Sequence, residues 1–105
     1  MTFTITHRGG DMEEGWESMI PHLVEELDAP LDEEHPDVAV CDDETSWSLS
    51  AFQGGALVFE NLEEDEIGPR HLPSVSRIEM VRLMTLLAQG RLGEVQSLDW
   101  RPGYF

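Results

Sequence analysis

Between Gly9 and Pro69 the chain carries 19 aspartates and glutamates and no lysine or arginine. This part of the molecule is uniformly anionic, and its mutual repulsion costs stability unless something offsets it. All six basic residues are arginines (Arg8, Arg70, Arg77, Arg82, Arg91 and Arg101), so the C-terminal third is nearly balanced while the formal net charge is -16. A field of one sign repels nucleic acid and anionic membrane and steers basic partners in. The plainer explanation of such acidity is solubility alone. With 105 residues the chain can bury one modest core, and three tryptophans, four phenylalanines and one tyrosine argue against disorder.

The apolar pattern predicts where that core comes from. Thr2–His7 alternates, with Phe3 and Ile5 on one face, and reads as a first strand ending in the turn Arg8–Asp11. From Glu13 to Leu27, the residues Trp16, Met19, Ile20, Leu23, Val24 and Leu27 recur at three- and four-residue spacing, which predicts a helix. Pro21 either kinks that helix or marks a later start near Ile20. Asp28–Asp37, with Pro30, Pro36 and five acids, reads as a loop, and Val38–Cys41 as a short buried strand. Thr45–Phe52 alternates, with Trp47, Leu49 and Ala51 on one face. Gly54-Gly55 joins it to Ala56–Phe59 as a hairpin. Asn61–Arg70 reads as an acidic loop.

Ser76 with Glu79 matches a capping box, and Val75 with Met80 a hydrophobic staple, so a second helix starts there. Its apolar set of Ile78, Met80, Val81, Leu83, Met84, Leu86, Leu87 and Ala88 predicts burial around most of its circumference, with Gly90 as its stop. Arg91–Leu98 forms a short further turn or strand. Trp100–Tyr104 is a tail whose aromatics either pack down on the domain or anchor a partner, and packing is the reading favoured here. With no repeat and no linker, residues 1–105 read as one α+β domain: an antiparallel sheet of four to five strands with two main helices packed on one face.

Few residues are placed for catalysis. Gly9-Gly10 and Gly54-Gly55 lack the lysine and hydroxyl of a phosphate loop, and no serine sits in a nucleophile elbow. Cys41, the lone cysteine, lies in an apolar run beside Asp42 and Asp43, which disfavour a thiolate, and it excludes an intrachain disulfide. Asp32, Glu33, Glu34, His35 and Asp37 offer hard ligands close together. The four histidines are scattered, however, and the acidic stretches lack the ligand alternation and central glycine of a calcium loop. The expectation is no enzyme activity, no metal and no cofactor. The first residues lack a signal-peptide pattern and no apolar run is long enough to span a bilayer, so a cytoplasmic location is expected.

Two acidic clusters flank the predicted central strands. Asp42, Asp43 and Glu44 precede the Trp47 strand, and Glu63, Glu64, Asp65 and Glu66 follow the Phe59 strand. In a hairpin the start of one strand and the exit of the next lie at the same end. The clusters are therefore expected to be neighbours in space and to form one anionic edge for a basic protein. The Asp32-Glu33-Glu34 loop and the Trp100–Tyr104 tail are the next candidates for such an edge.

The order of pieces resembles the first of the immunity-protein families of bacterial polymorphic toxin systems. The residues that carry the likeness are Trp47-Ser48-Leu49 in one strand, Gly55-Ala56-Leu57-Val58-Phe59 in the next and Leu72-Pro73-Ser74-Val75-Ser76-Arg77 leading into a helix. They continue with Leu87-Ala88-Gln89-Gly90 at that helix's end and Trp100-Arg101-Pro102-Gly103-Tyr104 near the terminus. The likeness spans about the last two thirds of the chain, and the order and spacing of the motifs carry it, no single one being specific. The resemblance implies a cytoplasmic antidote that binds and neutralises a basic toxin of the nuclease or nucleic-acid deaminase class, and it supplies no catalytic residues. An acidic binding module or nucleic-acid mimic for another basic protein, and a small metal-dependent enzyme using the His35 loop, are the rival readings.

Overall fold

Phe3 and Ile5, Val38 and Val40, Leu49 and Ala51, and Leu57 and Phe59 are buried on one face of four adjacent strands, as period-two alternation requires. The computed structural model, which describes residues 2–34 and 36–104 (for Asp65 the backbone only), extends this into a seven-stranded antiparallel sheet. The strands are β1 (Phe3–Thr6), β2 (Met12–Glu14), β3 (Asp37–Asp42), β4 (Trp47–Phe52), β5 (Leu57–Asn61), β6 (Arg70–Leu72) and β7 (Arg101–Pro102), in the spatial order β2-β1-β3-β4-β5-β6-β7. Three helices, α1 (Ile20–Glu25), α2 (Arg77–Ala88) and α3 (Leu92–Gln96), accompany it, and their apolar residues Ile20, Leu23, Val24, Met80, Leu83, Met84, Leu87 and Val95 join the sheet's buried face in one core. The α+β class stands, with a sheet larger than the four to five strands expected from sequence.

The register fixes which residues share a face. Glu13, Ile5, Val40, Leu49, Phe59 and Arg70 form one row across six strands, on the core side. Glu14, Thr4, Cys41, Ser48 and Glu60 form a row on the other face, beside Met12, Thr6, Ala39, Ser50, Val58 and His71. That second face is built of small and hydroxylated side chains and is bounded by acids at one end.

The extra strands arise where sequence shows no alternation. Residues 12–14 pair with β1 instead of joining a helix, and a short 3-10 turn, Glu17–Met19, leads into α1 at Ile20 with Pro21 in its first turn, where a missing N–H costs nothing. Gly15 sits at the break. Its backbone crosses Phe3 so closely that a Cβ there would stand 2.3 Å from the ring, which no side chain can accommodate without a shift. Trp16, in extended conformation after it, is 66% exposed, correcting its placement on an apolar helix face. β6 and β7 are three- and two-residue strands whose order comes from pairing with β5 and with each other.

Helix α2 starts and stops as its sequence dictates. The Ser76 hydroxyl accepts the Glu79 N–H at 3.1 Å, while the Glu79 carboxylate turns to Arg82 instead of closing the capping box. At the other end Gly90 takes φ 77°, and the Gly90 and Arg91 N–H groups bond the Leu87 and Leu86 carbonyls at 3.0 and 2.9 Å, a Schellman cap. Burial is one-sided: Met80, Leu83, Met84, Leu87 and Ala88 are inside, whereas Ile78 is 84% exposed, against the expectation of a helix buried around most of its circumference. Trp100 packs down, stacking on Phe59, which stacks on Trp47, and its indole N–H donates to the Val95 carbonyl. Tyr104 stays exposed, its hydroxyl donating to Glu60.

Candidate protein-binding surface at the acidic strand ends

The β3–β4 connection is four residues long, Asp43–Ser46, and it is closed by Asp42. The Asp42 carboxylate accepts the Glu44 N–H at 3.1 Å and the Thr45 hydroxyl at 2.9 Å, and the Ser46 N–H returns to the Asp42 carbonyl at 2.8 Å. Ser46 takes the left-handed φ of 63° that this tight return demands. Asp42 is 3% exposed, so it is not available to a partner as the sequence suggested; its acid is spent on shaping the turn that lifts Asp43 and Glu44 into solvent.

Asn61 joins this turn to the second cluster. Its amide NH2 donates to the Thr45 carbonyl at 3.0 Å, and its amide oxygen accepts the Glu63 and Glu64 N–H groups at 2.9 and 3.0 Å. The Leu62 N–H reaches the Ser46 carbonyl at 2.9 Å. Asp43, Glu44, Glu63 and Glu64 are thereby held at one end of the sheet, as the hairpin argument anticipated, and all four are exposed. Glu66 is exposed on the 3-10 turn Asp65–Ile67; the Asp65 side chain lies outside the described residues. Sequence reading missed Asn61, whose signal was its position directly before Leu62-Glu63-Glu64.

Cys41 registers the field that results. Burial pushes its thiol above the ordinary value, and Asp43, Asp42 and Glu63 push it further. Acids from both clusters thus act on one atom two strands away from the second of them, and the thiol stays protonated and unreactive. On the other side of Asp43, the Thr4 hydroxyl donates to its carboxylate at 2.8 Å and the Asp43 N–H bonds the Thr2 carbonyl at 3.2 Å. Thr4 faces Glu14 on β2. The acidic rim therefore runs from β2 to β5, four strand spacings or about 19 Å.

None of Asp43, Glu44, Glu63 and Glu64 forms an ion pair with a described residue. Leu62 is 56% exposed among them, and Ile67 lies beside a hollow edged by Glu63, Glu64 and Glu66.

The other candidates are arranged differently. In the Asp32-Glu33-Glu34 loop, Asp32 is tied to Gln53 by its N–H, to Glu34 by its carboxylate and to Arg8 at 3.6 Å, so it serves the fold. His35 lies outside the described residues, and among the described residues no three histidine, cysteine, aspartate or glutamate side chains converge as a metal site. Among them, too, no helix is long and apolar enough to cross a membrane. Compared with known proteins, the chain matches no family model, no curated protein and no solved structure.

Proposed function

We propose that this chain is a stoichiometric binding protein that neutralises a basic partner, acting as an immunity protein against a bacterial toxin of the nuclease or nucleic-acid deaminase class. The observation that carries the reading is the convergence of Asp43, Glu44, Glu63 and Glu64, all exposed and without ion pairs to described residues, around Leu62. A toxin that handles nucleic acid is basic where it grips phosphates, and an anionic rim about 19 Å long is suited to cover such a surface. Inhibition on this reading is occlusion. The rim meets toxin lysines and arginines, steering accelerates the encounter and substrate is kept out. The chain itself catalyses nothing, needs no cofactor and works in the cytoplasm. The resemblance of the Trp47, Phe59, Ser76 and Trp100 motifs to an immunity-protein family supports the class of partner; the charge geometry supports its basic character.

The test is a titration against the protein encoded by the gene adjacent to this chain's own, which on this reading is a toxin. One-to-one binding and loss of toxin activity are expected. The variant with Asp43, Glu44, Glu63 and Glu64 all changed to lysine should lose both. A variant that neutralises the toxin as well as the parent chain, with unchanged salt dependence, places the interface elsewhere. Tight binding to a basic protein with no toxic activity favours the acidic-module reading.

A further inference from the structure

We propose that the free edge of β2, with Trp16 beside it, takes an extended arginine-rich segment of the partner as an eighth strand of the sheet. This deepens the reading above and rests on the partner being basic. The hydrogen-bond phase of the β1–β2 hairpin makes the edge available. The Gly15 N–H bonds the Phe3 carbonyl and the His7 N–H bonds the Asp11 carbonyl, both at 2.8 Å. In an antiparallel ladder bonded pairs alternate, so Phe3–Gly15, Ile5–Glu13 and His7–Asp11 are the bonded pairs. Met12 and Glu14 consequently turn their N–H and C=O groups away from β1, toward solvent. The opposite edge offers less: β7 has two residues, and Pro102 has no N–H to give.

The side chains around this edge define its occupant. Met12 and Trp16 are 70% and 66% exposed, and Asp11, Glu13, Glu14 and Glu17 are exposed with them. Trp16 is held in place by its flanks. Gly15 is pinned over Phe3, and the Glu17 carboxylate accepts the Gln89 amide at 2.8 Å from the end of α2. A hollow of about 370 Å³, lined by Thr2, Phe3, Glu14, Gly15, Trp16 and Gln89 among others, opens beside the indole. A second copy of the chain is a poor fit, since edge-to-edge pairing sets two acidic β2 strands against each other in molecules of formal net charge -16. A strand with alternating arginines reverses every term. One guanidinium pairs with Glu14, the next lies on the face of Trp16, and backbone bonds go to Met12 and Glu14.

The probe is a seven-residue peptide alternating arginine and valine. The comparator has the same sequence and charge with alternate backbone nitrogens methylated, which prevents strand pairing. Binding is followed by calorimetry and by amide hydrogen exchange of the whole chain. Slowed exchange at Met12 and Glu14 with the first peptide, and binding at least about tenfold weaker for the comparator, for Trp16→Ala and for Met12→Pro, are expected. Absence of binding, equal binding of the two peptides, or protection elsewhere than β2 overturns the proposal. The lysine variant at Asp43, Glu44, Glu63 and Glu64 separates the two readings. If it abolishes peptide binding while Trp16→Ala and Met12→Pro do not, the edge proposal fails and the acidic-rim reading stands. If it keeps the peptide and still neutralises the toxin, the rim reading fails and the edge proposal survives.

Discussion

The helical side of the molecule and the strand ends carry the same kind of acid and treat it in opposite ways. On the helical side each of several acids meets a base. Arg77 bridges Asp28 at 3.1 Å and the Gln53 carbonyl at 3.0 Å, Arg8 reaches Asp32 and the Glu26 carbonyl, His7 lies between Glu13 and Glu26 at 2.6 and 2.5 Å, and Arg82 and Arg91 pair with Glu79 and Glu94. At the strand ends Asp43, Glu44, Glu63 and Glu64 meet no base among the described residues. Of the six arginines, Arg8 and Arg77 join separate elements, while Arg82 and Arg91 pair three residues along their own helical segments. The difference separates acids that meet a base within the fold from acids that meet none among the described residues.

Reversing the unpaired acids breaks the comparison most directly. With Asp43, Glu44, Glu63 and Glu64 changed to lysine, association with a basic partner of the proposed kind should slow by about 100-fold at low salt. The denaturation midpoint should change little, because relief of local repulsion offsets the lost Thr4–Asp43 hydrogen bond. Stopped-flow association together with urea unfolding of the same variant checks both halves, and a fall in stability larger than about 1 kcal/mol, the scale of the single Thr4–Asp43 bond, would mean these acids serve the fold beyond that bond. Arg77→Ala is the opposite case: it removes charge-assisted bonds tying α2 to the Asp28 turn and the β4–β5 turn, and should cost about 2 kcal/mol in urea unfolding while leaving the association rate unchanged. Ser76→Ala, which removes only the α2 cap, should cost about 1 kcal/mol.

The smallest expected effect is on pH dependence. Hydrogen bonds to Glu26 and then Glu13 raise His7 above its ordinary value, and burial raises Asp37. A folded-state value above the unfolded one means the folded chain binds more protons across the interval, so stability grows as pH falls through it. The His7 contribution is complete below about 6.5, the unfolded value, and fades as pH rises through the raised one. Thermal midpoints should therefore increase modestly from pH 8 to pH 6. His7→Asn should flatten that slope, and an unchanged slope in the variant would remove His7 as its source.

Much of this arrangement was legible in the sequence where local rules governed it. The β1 and β4 strands announced themselves by alternation, β3 as a short apolar run, β5 by the Gly54-Gly55 hairpin turn, and α2 by Ser76, Glu79 and Gly90. The convergence of the two acidic clusters followed from hairpin geometry. Before Ile20 the sequence left a kinked helix from Glu13 and a later start near Ile20 both open, because Trp16 continues the three- and four-residue spacing of Met19, Ile20, Leu23 and Val24; the later start is the one observed, and the close approach of Gly15 to Phe3 joins residues whose proximity depends on the β1–β2 pairing. β6 and β7 escaped notice since strands of three and two residues carry no period. Asp42 looked like Asp43 in sequence; only the turn it caps separates a buried acid from an offered one.

The tryptophans give this molecule a built-in optical division. Trp47 and Trp100 sandwich Phe59, with ring centroids 4.4 and 5.1 Å away, in a rigid and largely apolar setting, and Trp16 stands in water at the sheet edge. Indole emission shifts to longer wavelength as its surroundings become polar and mobile. The intrinsic fluorescence of the native chain is thus a sum of two colours: a blue component that disappears only when the core melts, and a red one that an aqueous quencher extinguishes first. Anything that settles on the β2 edge changes the red component and leaves the blue one alone, so the protein reports occupation of that edge, separately from melting of its core, without a label.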